Sequence, residues 1–123
     1  MLGCIPAGPL SEVFEHCEVI EAYELLPHKL GDFLLIVHGD SMIGDGILPG
    51  DKVLLRPNVQ VQNGEIAAVH IGDEYLATLK HVYFGPGQAK ATLKASNPSY
   101  HDIVVAMKDI KVAGVFRGLV RTG

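Results

Sequence analysis

Residues 33 to 55 read FLLIVHGDSMIGDGILPGDKVLL, and their pattern decides the fold class. Phe33 to Val37 is an unbroken apolar run, matched in length only by Ile103 to Met107, and has the length and composition of a buried strand. It runs into Gly39-Asp40-Ser41-Met42, a turn broken by Gly44-Asp45-Gly46, and the punctuation Pro49-Gly50-Asp51, after which a second apolar strand, Lys52 to Arg56, begins. The same grammar continues toward the C-terminus. Phe33 to His38, Lys52 to Arg56, Glu65 to Ile71, Glu74 to Val82, Ala91 to Ala95, Ile103 to Met107 and Lys111 to Arg121 read as strands, with further turns at Asn63-Gly64, Gly72-Asp73 and Gly85-Pro86-Gly87. Many short strands with frequent turns predict a mostly β domain of strongly bent antiparallel sheets with few short helices.

The chain has 123 residues, 48% of them hydrophobic, which is one domain able to bury about two thirds of its unfolded surface without staples. Fourteen acids oppose ten Lys and Arg, giving a net charge of −4. That is not the electrostatic footprint of a nucleic-acid-binding domain, so direct DNA binding by this piece is not expected. No apolar run approaches the ~18 to 20 residues of a membrane span, and Met1 to Ser11 lacks the basic start of a signal peptide. Cys4 and Cys17 are too few and too close to one end for a disulfide framework or zinc site, and read as reduced bystanders in a cytoplasmic protein; neither metal nor cofactor is expected.

The first thirty residues differ in kind. Glu12, Glu15, Glu18, Glu21 and Glu24 recur at every third position, which would stack like charges on a helix, and Val13, Val19 and Ile20 are β-branched. The expectation is a linker and acidic extended arm over residues 1–30, ahead of a domain over 31–123. Pro6 and Pro9 flank Ala7 and Gly8 and keep that stretch extended, a form a peptidase can bind. Outside the five glutamates the ten basic residues face nine acids, so the rest of the chain is nearly neutral.

Ser41 stands at the end of an apolar strand beside a glycine that permits a sharp turn. Its hydroxyl can point outward with neighbouring N–H groups free to converge, as a nucleophile with an oxyanion hole requires; a serine hydrogen-bonded within its own turn fits the same residues. A nucleophile needs a base, and six histidines are present, but none sits in a recognisable nucleophile elbow. Lys80 is the other candidate. By strand alternation it shares a face with Leu76, Thr78 and Val82, where it either snorkels to solvent or is desolvated. At its ordinary pKa of about 10.4 a lysine is neutral in only ~4 molecules per 10,000 at pH 7. Reaching ~7 requires ~4.6 kcal/mol against the charged form, which burial without a carboxylate partner can supply. No acid occurs from Tyr75 to Ser99.

These residues resemble the C-terminal domains of LexA-type repressors, a family that includes UmuD and phage repressors and cleaves itself with a serine and a lysine. The similarity covers nearly the whole chain. Gly39-Asp40-Ser41-Met42 with Gly46-Ile47 and Gly50-Asp51 resembles the nucleophile motif. Thr78-Leu79-Lys80-His81-Val82 resembles the lysine motif, departing from its commonest residues at Leu79, His81 and Val82. Asn97-Pro98-Ser99-Tyr100-His101-Asp102-Ile103 resembles an NPxYxPI segment with Asp102 where Pro is usual, and Gly114 to Arg121 resembles the closing strand. Leu2 to Leu10 resembles the linker in which an Ala–Gly bond is cut.

The resemblance implies a LexA/UmuD-type (signal-peptidase-like) fold and a single-turnover autopeptidase. It assigns Ser41 as nucleophile, Lys80 as base, the backbone N–H groups of Asp40 and Ser41 as oxyanion hole, and Ala7–Gly8 as the bond cut. It further implies a homodimer, stimulation by a RecA filament on single-stranded DNA, and operator binding through a helix-turn-helix ahead of Met1. A UmuD-like polymerase accessory subunit, a phage or mobile-element repressor, and a dimerisation module without activity share these features. A signal peptidase shares the Ser-Lys chemistry, but the lack of a membrane anchor and the internal Ala–Gly site argue against it.

Overall fold

The apolar runs become strands in the computed structural model, which describes residues 14–17, 29, 31–74 and 77–121. Eight strands form: β1 (Phe14–Cys17), β2 (Phe33–Val37), β3 (Lys52–Arg56), β4 (Ile66–Ile71), β5 (Ala77–Phe84), β6 (Lys90–Lys94), β7 (Ile103–Ala106) and β8 (Ile110–Val120). Two single 3-10 turns, Ile43–Asp45 and Met107–Asp109, are the helical elements among the described residues. Seven of the strands fall on the predicted segments. The largest displacement is at β5, expected from Glu74 to Val82 but ending at Phe84, where Gly85-Pro86-Gly87 stops it. The sequence reading did not separate β1 from the acidic arm. Its backbone pairs antiparallel with β2, Phe14 opposite Val37.

All pairings are antiparallel, in one strongly curled sheet of order β1-β2-β3-β8-β4-β5-β6-β7. The eleven-residue β8 joins the two halves: Val115 to Val120 pairs with β3, and Ile110 to Val115 pairs with β4. Register shifts at Leu54/Leu55 and Ala68/Val69 lie on its two neighbours and bend the sheet. At Gly114 a Cβ would lie 2.9 Å from Leu55 Cβ and 3.2 Å from Phe33 Cζ, so the missing side chain lets the sheet fold back onto β2 and β3.

The curl gives β4 a core on each face. Ala68 packs with Phe33, Leu35, Leu55 and Leu79, whereas Ala67 and Val69 pack with Val82, Leu93 and Val115. Two forked ion pairs close the ends of the first core. Arg56 donates from Nε and Nη2 to the carboxylate of Asp32, which is 1% exposed, at 3.0 and 2.9 Å. Arg121, just past β8, does the same to the 2% exposed Asp51 at 2.7 and 2.7 Å and also donates to the Gly46 carbonyl. The second pair ties the end of β8 to the connection between β2 and β3, which carries Ser41.

Candidate active site

Ser41 follows β2 after a turn at Gly39, whose φ of +83° is open to glycine. The next residue, Met42, is buried in the first core with Ile47, and its carbonyl accepts N–H groups from Asp45 at 3.0 Å and Ile47 at 3.3 Å. Ser41 is thus held between a buried anchor and the exposed Asp40. Among the described residues the backbone N–H groups of Asp40 and Ser41 donate to no protein acceptor.

Lys80 lies in β5 opposite Ala67 of β4 and is 6% exposed. Its Nζ lies 3.2 Å from Ser41 Oγ, 2.7 Å from Thr78 Oγ1 and 3.3 Å from the Leu79 carbonyl oxygen. No carboxylate is among these contacts, and burial holds the Lys80 pKa below the usual lysine range. A neutral amine has two protons and one lone pair. Leu79 O and Thr78 Oγ1 can accept the protons, leaving the lone pair for the Ser41 hydroxyl. Of the two surroundings open to Lys80 from its strand alone, desolvation is the one found.

The connection from β6 to β7 borders the serine. Ser96 N–H donates to the Ser41 carbonyl at 2.8 Å, and the Ser96 carbonyl accepts Gly44 N–H at 2.7 Å. A Cβ on Gly44 would sit 2.5 Å from that Ser96 oxygen, so the two segments can meet only through glycine. Asn97 Nδ2 donates to the Asp40 carbonyl at 2.9 Å, and Tyr100 Oη donates to Asp40 Oδ1 at 2.6 Å. On the far side of the turn, Asp45 accepts from His81 Nε2 at 2.6 Å and from Ser96 Oγ, while His81 Nδ1 donates to the Gly64 carbonyl at 2.8 Å.

The structure brings Ser41 and Lys80 together from opposite halves of the sheet. Ala7, Gly8 and Cys4 lie outside the described residues. Sequence reasoning singled out no role for Thr78, His81, Asp45, Ser96, Asn97 or Tyr100. For Thr78, His81, Asn97 and Tyr100 the signal was present in the quoted motifs; Asp45 and Ser96 carried none. No group of three or more metal-ligating side chains occurs among the described residues.

A family model described as Peptidase S24-like matches residues 1–117. The chain belongs to the Peptidase S24-like family. Curated relatives agree with the family. The chain is similar to a LexA repressor of Deinococcus radiodurans, 39% identical over 80% of this chain and 46% of the relative. It is 34% identical to one of Syntrophotalea carbinolica over 98% of this chain and 58% of the relative, and 36% identical to one of Pseudothermotoga lettingae over 98% and 60%. The chain thus spans about half the length of these relatives. No helix among the described residues of this S24-like domain is long and apolar enough to cross a membrane.

Proposed function

We propose that this S24-like chain is the regulatory domain of a LexA-like repressor of the SOS response, and that it inactivates its parent protein by cutting its own Ala7–Gly8 bond. One observation carries the reading: a buried lysine with no carboxylate contact has its Nζ 3.2 Å from a serine hydroxyl. The lone pair of neutral Lys80 accepts the Ser41 proton as Oγ bonds to the Ala7 carbonyl carbon. The N–H groups of Asp40 and Ser41 stabilise the oxyanion. The bond to the Gly8 nitrogen then breaks as the Lys80 ammonium returns its proton to that nitrogen. Water, deprotonated by Lys80, hydrolyses the ester joining Ser41 to Ala7. Ala7 and Gly8 are small enough not to obstruct attack, and the flanking prolines lower the entropy of ordering the strand. The parent protein works in the cytoplasm as a homodimer, and a RecA filament on single-stranded DNA favours the arrangement in which the linker occupies the site.

Self-cleavage measured against pH, with mass spectrometry of the fragments, tests this. The rate rises with pH until Lys80 is neutral and then levels off, with one cut between Ala7 and Gly8. Cleavage elsewhere, or cleavage surviving in Ser41→Ala or Lys80→Ala, rejects the assignment. RecA on single-stranded DNA speeds the reaction near neutral pH; an unchanged rate removes that partner.

A further inference from the structure

We infer that Asn97 and Tyr100 are positioning residues that aim the oxyanion hole; this deepens the Ser41–Lys80 reading and rests on it. A trans peptide group points its carbonyl and its N–H in opposite directions, and none of the described peptide bonds is cis. Fixing the Asp40 carbonyl therefore fixes the Ser41 N–H. Asn97 Nδ2 makes that contact at 2.9 Å, while Ser96 N–H holds the next carbonyl, that of Ser41, at 2.8 Å. The peptide planes on both sides of the serine are thus pinned by two adjacent residues. Partner chemistry sets the orientation of the Asn97 amide: its Oδ1 accepts Ser99 N–H at 2.9 Å, so only its NH2 can face the Asp40 carbonyl. Tyr100 closes the arrangement from above. Its own N–H bonds to the Asn97 carbonyl at 3.0 Å, and its hydroxyl donates to the Asp40 carboxylate at 2.6 Å.

Neither side chain contacts Lys80, and Tyr100 is 43% exposed, so both act on the serine turn without carrying the core or setting the charge of the base. That separates their effect from a merely structural one. A misdirected N–H lowers the rate at every pH and leaves the pH at which Lys80 loses its proton where it was. Losing one oxyanion donor outright typically costs 10² to 10³ in rate, and a donor left in place but free to swing costs less.

The pH–rate profile of self-cleavage, with melting curves, is measured for the unsubstituted chain, Asn97→Ala and Tyr100→Phe. Expected is a plateau at least ~10-fold lower in Asn97→Ala and lowered in Tyr100→Phe, with an unmoved midpoint and melting well above the assay temperature. Plateaus within twofold of the unsubstituted chain overturn the inference while self-cleavage stands. So does a loss that merely follows the unfolded fraction. Should Asn97→Ala fail to fold, Tyr100→Phe, which removes one exposed hydroxyl, decides alone. Absence of cleavage in the unsubstituted chain overturns the Ser–Lys reading and this inference together.

Discussion

Lys80 owes its altered acidity to what its nitrogen lacks, namely a carboxylate or bulk water. Its three contacts include Thr78 Oγ1, an oxygen that also solvates the ammonium form. Thr78→Val removes that oxygen, destabilises the charged lysine further, and is expected to move the midpoint of the cleavage profile to lower pH. An unchanged or higher midpoint would show that Thr78 does not tune the base. The neighbouring His81 points to the opposite behaviour. Both of its ring nitrogens face acceptors, so the doubly protonated ring fits. Burial opposes that charge, but the Gly64 carbonyl and the Asp45 carboxylate outweigh it and raise the His81 pKa. Burial likewise opposes ionisation of Asp45, and Ser96 and His81 outweigh it, holding the carboxyl below its usual range. The His81 contribution is complete below about pH 6.5 and fades as pH rises through its raised value; that of Asp45 is complete above about pH 4 and fades on acidification. The link between the serine turn and β5 is therefore firmest between about pH 4 and 6.5. In an NMR titration, Asp45→Asn lowers the His81 pKa, and no change would exclude the pairing. Ser41 and Lys80 were legible because each sits in a local pattern. The contact of His81 with Asp45 spans 36 positions and that of Asn97 with Asp40 spans 57, distances that only the strand order brings together.

At the level of elements, turn chemistry and apolar alternation placed seven strands because each is bounded by glycine, proline, asparagine or aspartate. β1 escaped because its glutamate-rich surroundings suggested solvent, and its partner strand begins sixteen residues beyond its end. What no local pattern encodes is the curl of the sheet, which depends on close approach at particular sites. Gly114→Ala places a Cβ 2.9 Å from Leu55 Cβ in a filled core and is expected to destabilise the domain by about 1–3 kcal/mol, read from chemical denaturation. A neutral result would mean that the strands have room to separate. The Arg56 fork is an independent check on the same half of the sheet. Arg56→Ala removes the guanidinium fork from a carboxylate that is 1% exposed and should cost about 3 kcal/mol, lowering Tm by about 10 °C.

The molecule as a whole bears the cost of the desolvated lysine. Because the folded-state pKa of Lys80 is lowered, the unfolded chain binds more protons between that value and about 10.4, and stability rises with pH across this window. Lys80→Met removes the penalty and is expected to gain on the order of 1 kcal/mol at neutral pH while abolishing cleavage. A destabilised variant would contradict the view that the site is held against a stability cost. The largest domain-scale feature is β8, whose two ends pair with different halves of the sheet. Ser41 belongs to the half made of β1 to β3, and Lys80 to the half made of β4 to β7. Of these eight strands β8 is the last to leave the ribosome. A nascent chain that already contains Ser41 and Lys80 still lacks the strand that joins their halves, so their contact is completed only once synthesis has passed Val120.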